Sequence, residues 1–184
     1  MSPSTSWTQV INAGQYNQLN AGTALASSAS LTDISPGGNQ QGEALNIPAS
    51  YLQQGMQLRV RASGIYSTTG STSLTLGIYF GGVAGTALAT ATFGASANAS
   101  NAIWRLDADV RVDATGTSAT LRTLGTLSGL TSYGPVALPA SSSNGNAVSV
   151  ATGAANLLTV GAQWGTGAAG NSITCYMFTV EQLD

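Results

Sequence analysis

The charged side chains that could do chemistry are concentrated in one short stretch of the chain. Between residues 105 and 113 every odd position is charged, in the order Arg105, Asp107, Asp109, Arg111 and Asp113. The even positions from Ala102 to Val112 are apolar and include Trp104. Because side chains alternate between the two faces of a strand, this period of two predicts a long β-strand. One face would be charged, and the other would be apolar and covered by further strands.

The three aspartates could serve catalysis, metal binding or ion pairing. Asp107 and Asp109 would lie about 7 Å apart along the strand, a separation that suits an inverting glycosidase but that every Asp-x-Asp strand shares. A calcium loop of the EF-hand type needs Asp or Asn at position 111 and glycine at position 112, where the chain has Arg and Val. We therefore favour a ladder of ion pairs, within one chain or across a subunit boundary. Its cations would be Arg105, Arg111 and any of Arg59, Arg61 and Arg122.

The remaining composition argues against an enzyme. The chain contains arginine but no lysine and no histidine, which excludes Ser-His-Asp, Cys-His and Ser-Lys arrangements and a Schiff-base lysine. Cys175 lies in an alternating stretch without a titratable base beside it, so we interpret it as a small core or interface residue. We expect a protein without catalytic residues, cofactor or metal.

One glycine-rich stretch matches a cofactor motif. Residues 165–170 read Gly-Thr-Gly-Ala-Ala-Gly, and the dinucleotide-binding motif of this form requires a helix directly after it to receive the pyrophosphate. The residues that follow, from Asn171 to Phe178, alternate like a strand instead. We therefore interpret the stretch as a hairpin loop and reject nucleotide binding.

The low charge of the chain limits its partners. Charged residues make up 7% of the 184 residues and the net charge is −2, whereas typical soluble proteins have about 25% charged residues. Five scattered arginines do not neutralise a row of phosphates, so neither nucleic acid nor membrane is expected as a partner. No apolar run approaches the ~20 residues that span a bilayer, and no signal peptide is evident, so we expect a soluble, unprocessed chain. A chain with few charges and high β-propensity is prone to aggregate. We therefore expect much of its surface to be buried in a stable assembly.

The strand pattern predicts one all-β domain over residues 43–184. Alternating apolar runs are separated by turns rich in glycine and serine, and include Met56–Gly64, Leu74–Phe80, Leu157–Trp164 and Ile173–Leu183. About eight antiparallel strands in this length fit a jelly-roll β-sandwich better than a seven-stranded immunoglobulin-like one. The apolar phase of residues 119–127 is irregular, which predicts a bulge or bend near Gly125.

Residues 1–42 have the weakest pattern. We expect an extended N-terminal arm with one or two strand pieces, either partly disordered or packed on a neighbouring subunit with Trp7 as its anchor. The tryptophans and tyrosines could instead form a sugar-binding surface, for which Trp164 and Tyr133 are candidates. Trp104 is expected in the core because it belongs to the apolar face.

Three stretches of the chain resemble small virion proteins of tailed bacteriophages, especially those of actinobacteria. The first begins at Arg59 with Arg-Val-Arg-Ala-Ser-Gly-Ile-Tyr and ends with the Gly-Ile-Tyr-Phe-Gly-Gly of residues 77–82. The second runs from Ala102 to Val112, and the third lies between Leu157 and Leu183. Together they span roughly residues 44–184 in the same order, and the N-terminal arm lies outside the resemblance.

The resemblance implies a jelly-roll domain that forms trimers and serves as a head decoration protein, a head fibre or a tail-tip component. We therefore expect a non-enzymatic virion protein, a capsid decoration protein on the outer surface of the head. It would associate with itself as a homotrimer and with the major capsid protein or another virion protein. The alternative is a receptor- or glycan-binding module of a tail or fibre. The candidate subunit or capsid contacts are Trp7, Arg105, Asp107, Asp109, Arg111 and Asp113.

Overall fold

The structure consists of β-strands and loops in the residues that it describes. This computed structural model describes residues 15–17, 21–22, 24–35, 45–129, 135–139 and 147–183. No helix long and apolar enough to cross a membrane occurs in these ranges. Trp7, a candidate subunit or capsid contact, and Tyr133, a candidate for sugar binding, lie outside the described residues.

Thirteen strands are present in the described ranges, and all of their pairings are antiparallel. Seven have at least nine residues and form the body of the sandwich, and six shorter ones extend it. In chain order they are β1 (Gln15–Asn17), β2 (Leu25–Ala26), β3 (Thr32–Asp33), β4 (Asn46–Ile47), β5 (Gln57–Ser67), β6 (Thr72–Phe80), β7 (Thr86–Ala95), β8 (Ala102–Ala114), β9 (Ala119–Ser128), β10 (Val136–Leu138), β11 (Ala147–Val150), β12 (Asn156–Trp164) and β13 (Ser172–Gln182).

The strands form two sheets with jelly-roll connectivity. The larger sheet has the order β1-β13-β5-β8-β9-β10, with β2 also on β13 and β11 also on β9. The smaller sheet has the order β3-β12-β6-β7, with β4 also on β12. If β1 and β2 count as one strand and β3 and β4 as the next, eight strands remain besides β9–β11. When these eight strands are numbered in chain order, their order is 1-8-3-6 in the larger sheet and 2-7-4-5 in the smaller sheet. This is the strand order of a jelly roll. The predicted all-β sandwich is confirmed.

Part of the predicted N-terminal arm is integrated into the sandwich. The strands β1 and β2 pair with β13, and β3 pairs with β12. Leu25 and Ile34 from this segment are buried in the same core as the long strands. These short strands cover edges of β13 and β12 that would otherwise present unpaired backbone groups to other chains.

The apolar face of β8 lies at the centre of the core, as its alternation predicts. Trp104, Leu106, Ala108, Val110 and Val112 are each at most 2% exposed. The ring of Trp104 is oriented by a hydrogen bond that its Nε1 donates to the carbonyl oxygen of Thr174 at 3.2 Å. Full burial of a large apolar side chain contributes about 1.5–3 kcal/mol, so this one strand supplies much of the stabilisation.

The strand β9 is regular where the sequence predicts a bulge near Gly125. Its pairing with β8 runs without a shift from Ser128 to Leu121, and the register shifts instead beside Asp113. The apolar phase is irregular because Thr123 points inward and is fully buried, whereas Leu124 points outward and is 57% exposed. The predicted bulge at Gly125 is therefore wrong.

The glycine-rich segment at residues 165–170 connects the two sheets and does not form a hairpin. The preceding strand, β12, belongs to the smaller sheet and the following strand, β13, to the larger one. The hairpin prediction is wrong because a turn pattern does not say which sheet the next strand joins. A strand does follow the segment, as predicted, so it lacks the helix that a dinucleotide site needs.

Gly64 in β5 is required by the close approach of β13. A Cβ at this position would lie 1.9 Å from the carbonyl oxygen of Thr174, a backbone atom held in the sheet. We expect Gly64→Ala to lower the free energy of unfolding by about 1–3 kcal/mol through overpacking. The matched control is Gly94→Ala in β7, where a Cβ would meet nothing within 4 Å. Urea denaturation measures both variants, and equal midpoints would contradict the close approach.

Candidate interaction surface

The outer face of the larger sheet carries most of the charge of the protein. All five arginines and four of the seven acidic residues lie on it, on β5, β8, β9 and β13. We call these nine side chains the charged face: Arg59, Arg61, Arg105, Arg111, Arg122, Asp107, Asp109, Asp113 and Glu181. Along β5 and β8 they alternate with buried residues, so one face of the sheet builds the core and the other meets solvent.

Two ion pairs join β5 to β8 at the centre of the charged face. Arg59 lies opposite Asp109 in the strand register, and Arg61 lies opposite Asp107. Arg59 donates twice to Asp109, from Nε to Oδ1 at 2.8 Å and from Nη2 to Oδ2 at 3.1 Å. This hydrogen bonding and the nearby negative charge raise the pKa of Arg59. Arg61 Nε donates to Asp107 Oδ2 at 3.2 Å, and its Nη1 lies 3.7 Å from Glu181 Oε2 on β13.

Asp113 lies between two arginines that face each other. Arg111 on β8 is opposite Arg122 on β9, and like charges in this position destabilise a sheet unless they are compensated. Asp113 Oδ2 accepts from Arg122, with Nε at 3.0 Å and Nη2 at 2.9 Å. Asp113 Oδ1 lies 3.5 Å from Arg111 Nε. The register shift between Val112 and Ala114 leaves Asp113 without an opposite residue on β9, so its carboxylate serves both guanidiniums.

Arg105 is the exception on the charged face. It forms no ion pair within the described part of the chain. Its neighbours across the strands are Ser63 on β5 and Ser128 on β9, neither of which carries charge. The predicted ladder of ion pairs is confirmed, but with one difference in membership. The cations that pair with aspartates are Arg59, Arg61, Arg111 and Arg122.

A shallow depression lies beside Arg105. Its volume is about 400 Å³, and its lining includes Arg61, Ser63, Asp107, Met177 and Thr179. Large apolar side chains are exposed on the same sheet face, among them Ile103, Tyr176, Met177 and Leu124. Charge and exposed apolar surface therefore occur together on one face.

The geometry also bears on the alternative roles of the aspartates and tryptophans. Asp107 and Asp109 each pair with an arginine, whereas the general acid of a glycosidase needs surroundings that keep its carboxyl protonated. No group of three or more His, Cys, Asp or Glu side chains that could hold a metal ion occurs among the described residues. Trp104 and Trp164 are fully buried, so neither can stack on a sugar.

Three side chains of this face, Glu181, Tyr176 and Met177, were not predicted from the sequence. Glu181 belongs to it only because β13 pairs with β5, and no pattern within residues 172–182 indicates that pairing. Tyr176 and Met177 are both exposed because the register shifts between Cys175 and Met177. A signal for that shift exists in the sequence, since the apolar positions change from odd at Cys175 to even at Phe178.

Comparison with known proteins assigns the chain to no family. The sequence matches no protein-family model and no curated protein. The resemblance to phage virion proteins therefore stays a prediction, and so does contact between the charged face and a partner.

Removing the Asp113 carboxylate should cost more stability than removing a more exposed carboxylate of the ladder. In Asp113→Asn, Arg111 and Arg122 would face each other without an anion between them, and we expect a loss of about 1–2 kcal/mol at low salt. In Asp107→Asn the exposed pair with Arg61 is lost, and we expect a loss of about 0–1 kcal/mol. Urea denaturation at low and high NaCl measures both, and screening should shrink the difference. Equal losses at low salt would contradict the compensating role of Asp113.

Burial raises the pKa of Cys175 to about 12, because desolvation disfavours the thiolate. The unfolded chain releases this proton near the ordinary value of 9.0, so the stabilisation is complete below pH 9 and is lost as the pH rises toward 12. We expect a thiol reagent at pH 9 to label the urea-unfolded protein but not the native one. Cys175→Ala should flatten the alkaline decline in unfolding free energy. Rapid labelling of the native protein would contradict the burial.

Proposed function

We propose that the chain is a non-enzymatic structural protein of a bacteriophage virion. In this proposal it is a capsid decoration protein that forms a homotrimer on the outer surface of the head. Its partners are copies of itself and the major capsid protein. The proposal is supported by the jelly-roll sandwich, by the resemblance of residues 44–184 to small virion proteins, and by the distribution of charge.

The concentration of charge on one sheet face is the observation that carries the proposal. Nine of the twelve charged residues lie there. Of the other three, Asp33 lies on β3 of the smaller sheet, and Glu43 and Asp184 are outside the described residues. Most large exposed apolar side chains of the described residues lie on the same face. Interfaces are enriched in arginine, methionine and aromatic residues with polar groups around them. A face of this composition on an otherwise nearly uncharged protein is suited to binding other proteins.

The pairing of the aspartates supports a structural role over a catalytic one. Asp107 and Asp109 are the two carboxylates whose spacing suits acid–base catalysis, and each is bound by an arginine. Cys175, the one thiol, is buried and its raised pKa keeps it protonated. In the described residues these groups hold strands in register or fill the core, which is what a decoration protein requires.

Binding of such a trimer would stabilise the head passively. A ligand that binds the assembled lattice and not its ruptured form shifts the equilibrium toward the lattice, by an amount set by its concentration relative to Kd. Three joined copies bind more tightly than one, because each contact after the first is effectively intramolecular. No conformational change or chemical step is needed.

Purified phage particles test the proposal. Mass spectrometry should detect the chain in them, with a copy number in the hundreds, as expected for a head protein. Particles from a phage that lacks the gene should release their genome at a lower temperature, and added purified protein should restore the release temperature. A chain absent from purified particles would contradict the proposal, and copies confined to tails would contradict the head location.

A charge-swapped variant tests whether the ladder contacts the shell. Arg59→Asp combined with Asp109→Arg keeps the ion pair between β5 and β8 but reverses its direction. We expect this variant to fold and to bind particles that lack the protein more weakly than the wild type, because a complementary charge pattern on the shell would be mismatched. Gly94→Ala, far from the charged face on β7, is the control and should bind normally. Unchanged binding by the swapped variant would mean that the shell contacts another surface.

A further inference from the structure

One end of the charged face has a cation that the fold itself does not use. Arg105 is exposed and forms no ion pair with any described residue. A guanidinium offers five N–H donors in a fixed plane and stays charged at any physiological pH. The other four arginines have their carboxylates within the chain. Arg105 therefore differs from them in having its binding capacity open to a second molecule.

The strand register explains why a depression forms beside this arginine. Met177 on β13, Ser63 on β5 and Arg105 on β8 lie side by side across three strands. Neighbouring strands are about 4.8 Å apart, so a short serine is flanked by two long side chains. Ser63 thus forms part of the floor of the 400 Å³ depression, and the ion pair of Arg61 with Asp107 lies in the next row along the strands.

Exposed apolar side chains lie next to the depression, beyond the row of Arg105. Ile65 and Ile103 face each other one row beyond Arg105, and Ile103 is 68% exposed. The register shift in β13 turns Tyr176 and Met177 outward, and Met177 is 60% exposed. An exposed arginine and methionine that line a depression, with tyrosine and isoleucine exposed beside it, match the composition of interface centres, where few residues supply most of the binding energy.

The depression also offers a carboxylate oxygen. Asp107 accepts from Arg61 at Oδ2, and no described residue donates to its Oδ1. Arg105 and Asp107 are two positions apart on one strand face, so the patch presents both signs of charge within about 7 Å. Such a patch is complementary to a copy of itself, because Arg105 of one subunit can bind Asp107 of the next around a rotation axis.

The ladder is less suited to hold subunits together. Apart from Asp107, whose Oδ1 accepts no hydrogen bond from a described residue, its arginines and aspartates have their partners within the chain, so burying them would cost desolvation and form few new bonds. Arg105 and the apolar side chains beside it have no such bonds to lose. Association through the depression therefore adds interactions that the isolated chain lacks.

We propose that the depression beside Arg105 is the interface between copies of this chain. Arg105 of one subunit binds Asp107 of the next, and the exposed Ile103 and Met177 pack against the neighbouring copy. This inference rests on the self-association in the proposed function and is independent of any location in a virion. Apart from the Arg61–Asp107 pair, which lines the depression, the ladder stays outside this contact and is free to meet another protein.

Sedimentation velocity of the full chain over a concentration series tests the interface. The wild type should sediment as an oligomer. Arg105→Glu would place a second carboxylate beside Asp107, and we expect the dissociation constant to rise at least thirtyfold, or about the loss of one interface hot spot. Met177→Ser removes an apolar contact without changing charge, and we expect a rise of roughly tenfold. If Arg105→Glu fails to fold, the Met177→Ser variant tests the interface alone.

The matched control is Arg111→Glu, the same charge reversal on the same strand and sheet face but three rows from Arg105. It should leave the dissociation constant within about twofold of the wild type. Circular dichroism and urea midpoints establish that each variant is folded. A monomeric wild type, an unchanged oligomer in folded Arg105→Glu and Met177→Ser, or equal dissociation by Arg111→Glu would each overturn the proposal. Absence from phage particles would contradict only the virion location and would leave these results unaffected.

Discussion

The strand β8 must bury its apolar face and keep the five charged side chains of its other face in water or in ion pairs. The registers of both neighbouring strands, β5 and β9, satisfy these two requirements together. A slip of the β8 register by one residue would turn the apolar set from Trp104 to Val112 outward and bury the charges. Unpaired ions in the core cost several kcal/mol each. The strand β5 places Arg59 and Arg61 opposite aspartates in the register that also points Leu58 and Val60 inward. Burial and charge pairing therefore favour the same register between β5 and β8, which is why this register is strongly specified.

The strands β9, β10 and β11 have a different role, because they protect the edge strand of the smaller sheet, which carries no charge. The strand β7 ends the smaller sheet and carries no charged residue, so it lacks the usual deterrent against pairing with other chains. Strands β9, β10 and β11 follow β8 in the larger sheet and contact β7 from across the sandwich. These additional strands cover the side of the sandwich at which β7 lies. A protein with so few charges protects this edge by packing.

The positions of the long strands can be predicted well from the sequence, whereas which strands pair with each other cannot. Alternation locates β8 and its buried Trp104 because burial on one face is a local property of the strand. The charge partners of Asp107 and Asp109 could not be chosen from five arginines, because the choice depends on the register between strands far apart in the chain. The segment at residues 165–170 shows the same limit, since a turn pattern is identical whether the chain returns to one sheet or crosses to the other. Glu181 joins the charged face through pairing alone.

The two outer faces of the sandwich differ in what they can recognise. On the smaller sheet, the ring of Tyr79 lies against Gly161, where a Cβ would come within 2.6 Å of it, and beside Gly77, where a Cβ would lie 3.2 Å from it. That contact covers the glycines with the protein's own side chain. The described strands of this sheet carry one charged residue, Asp33 opposite Gly161, and no arginine. The larger sheet keeps its charges on the surface, arranged in a fixed order by the register. Electrostatic complementarity contributes more to orientation and to rejection of wrong partners than to affinity. A paired ladder that sets orientation, beside an unpaired Arg105 and apolar side chains that supply affinity, separates these two tasks on one face.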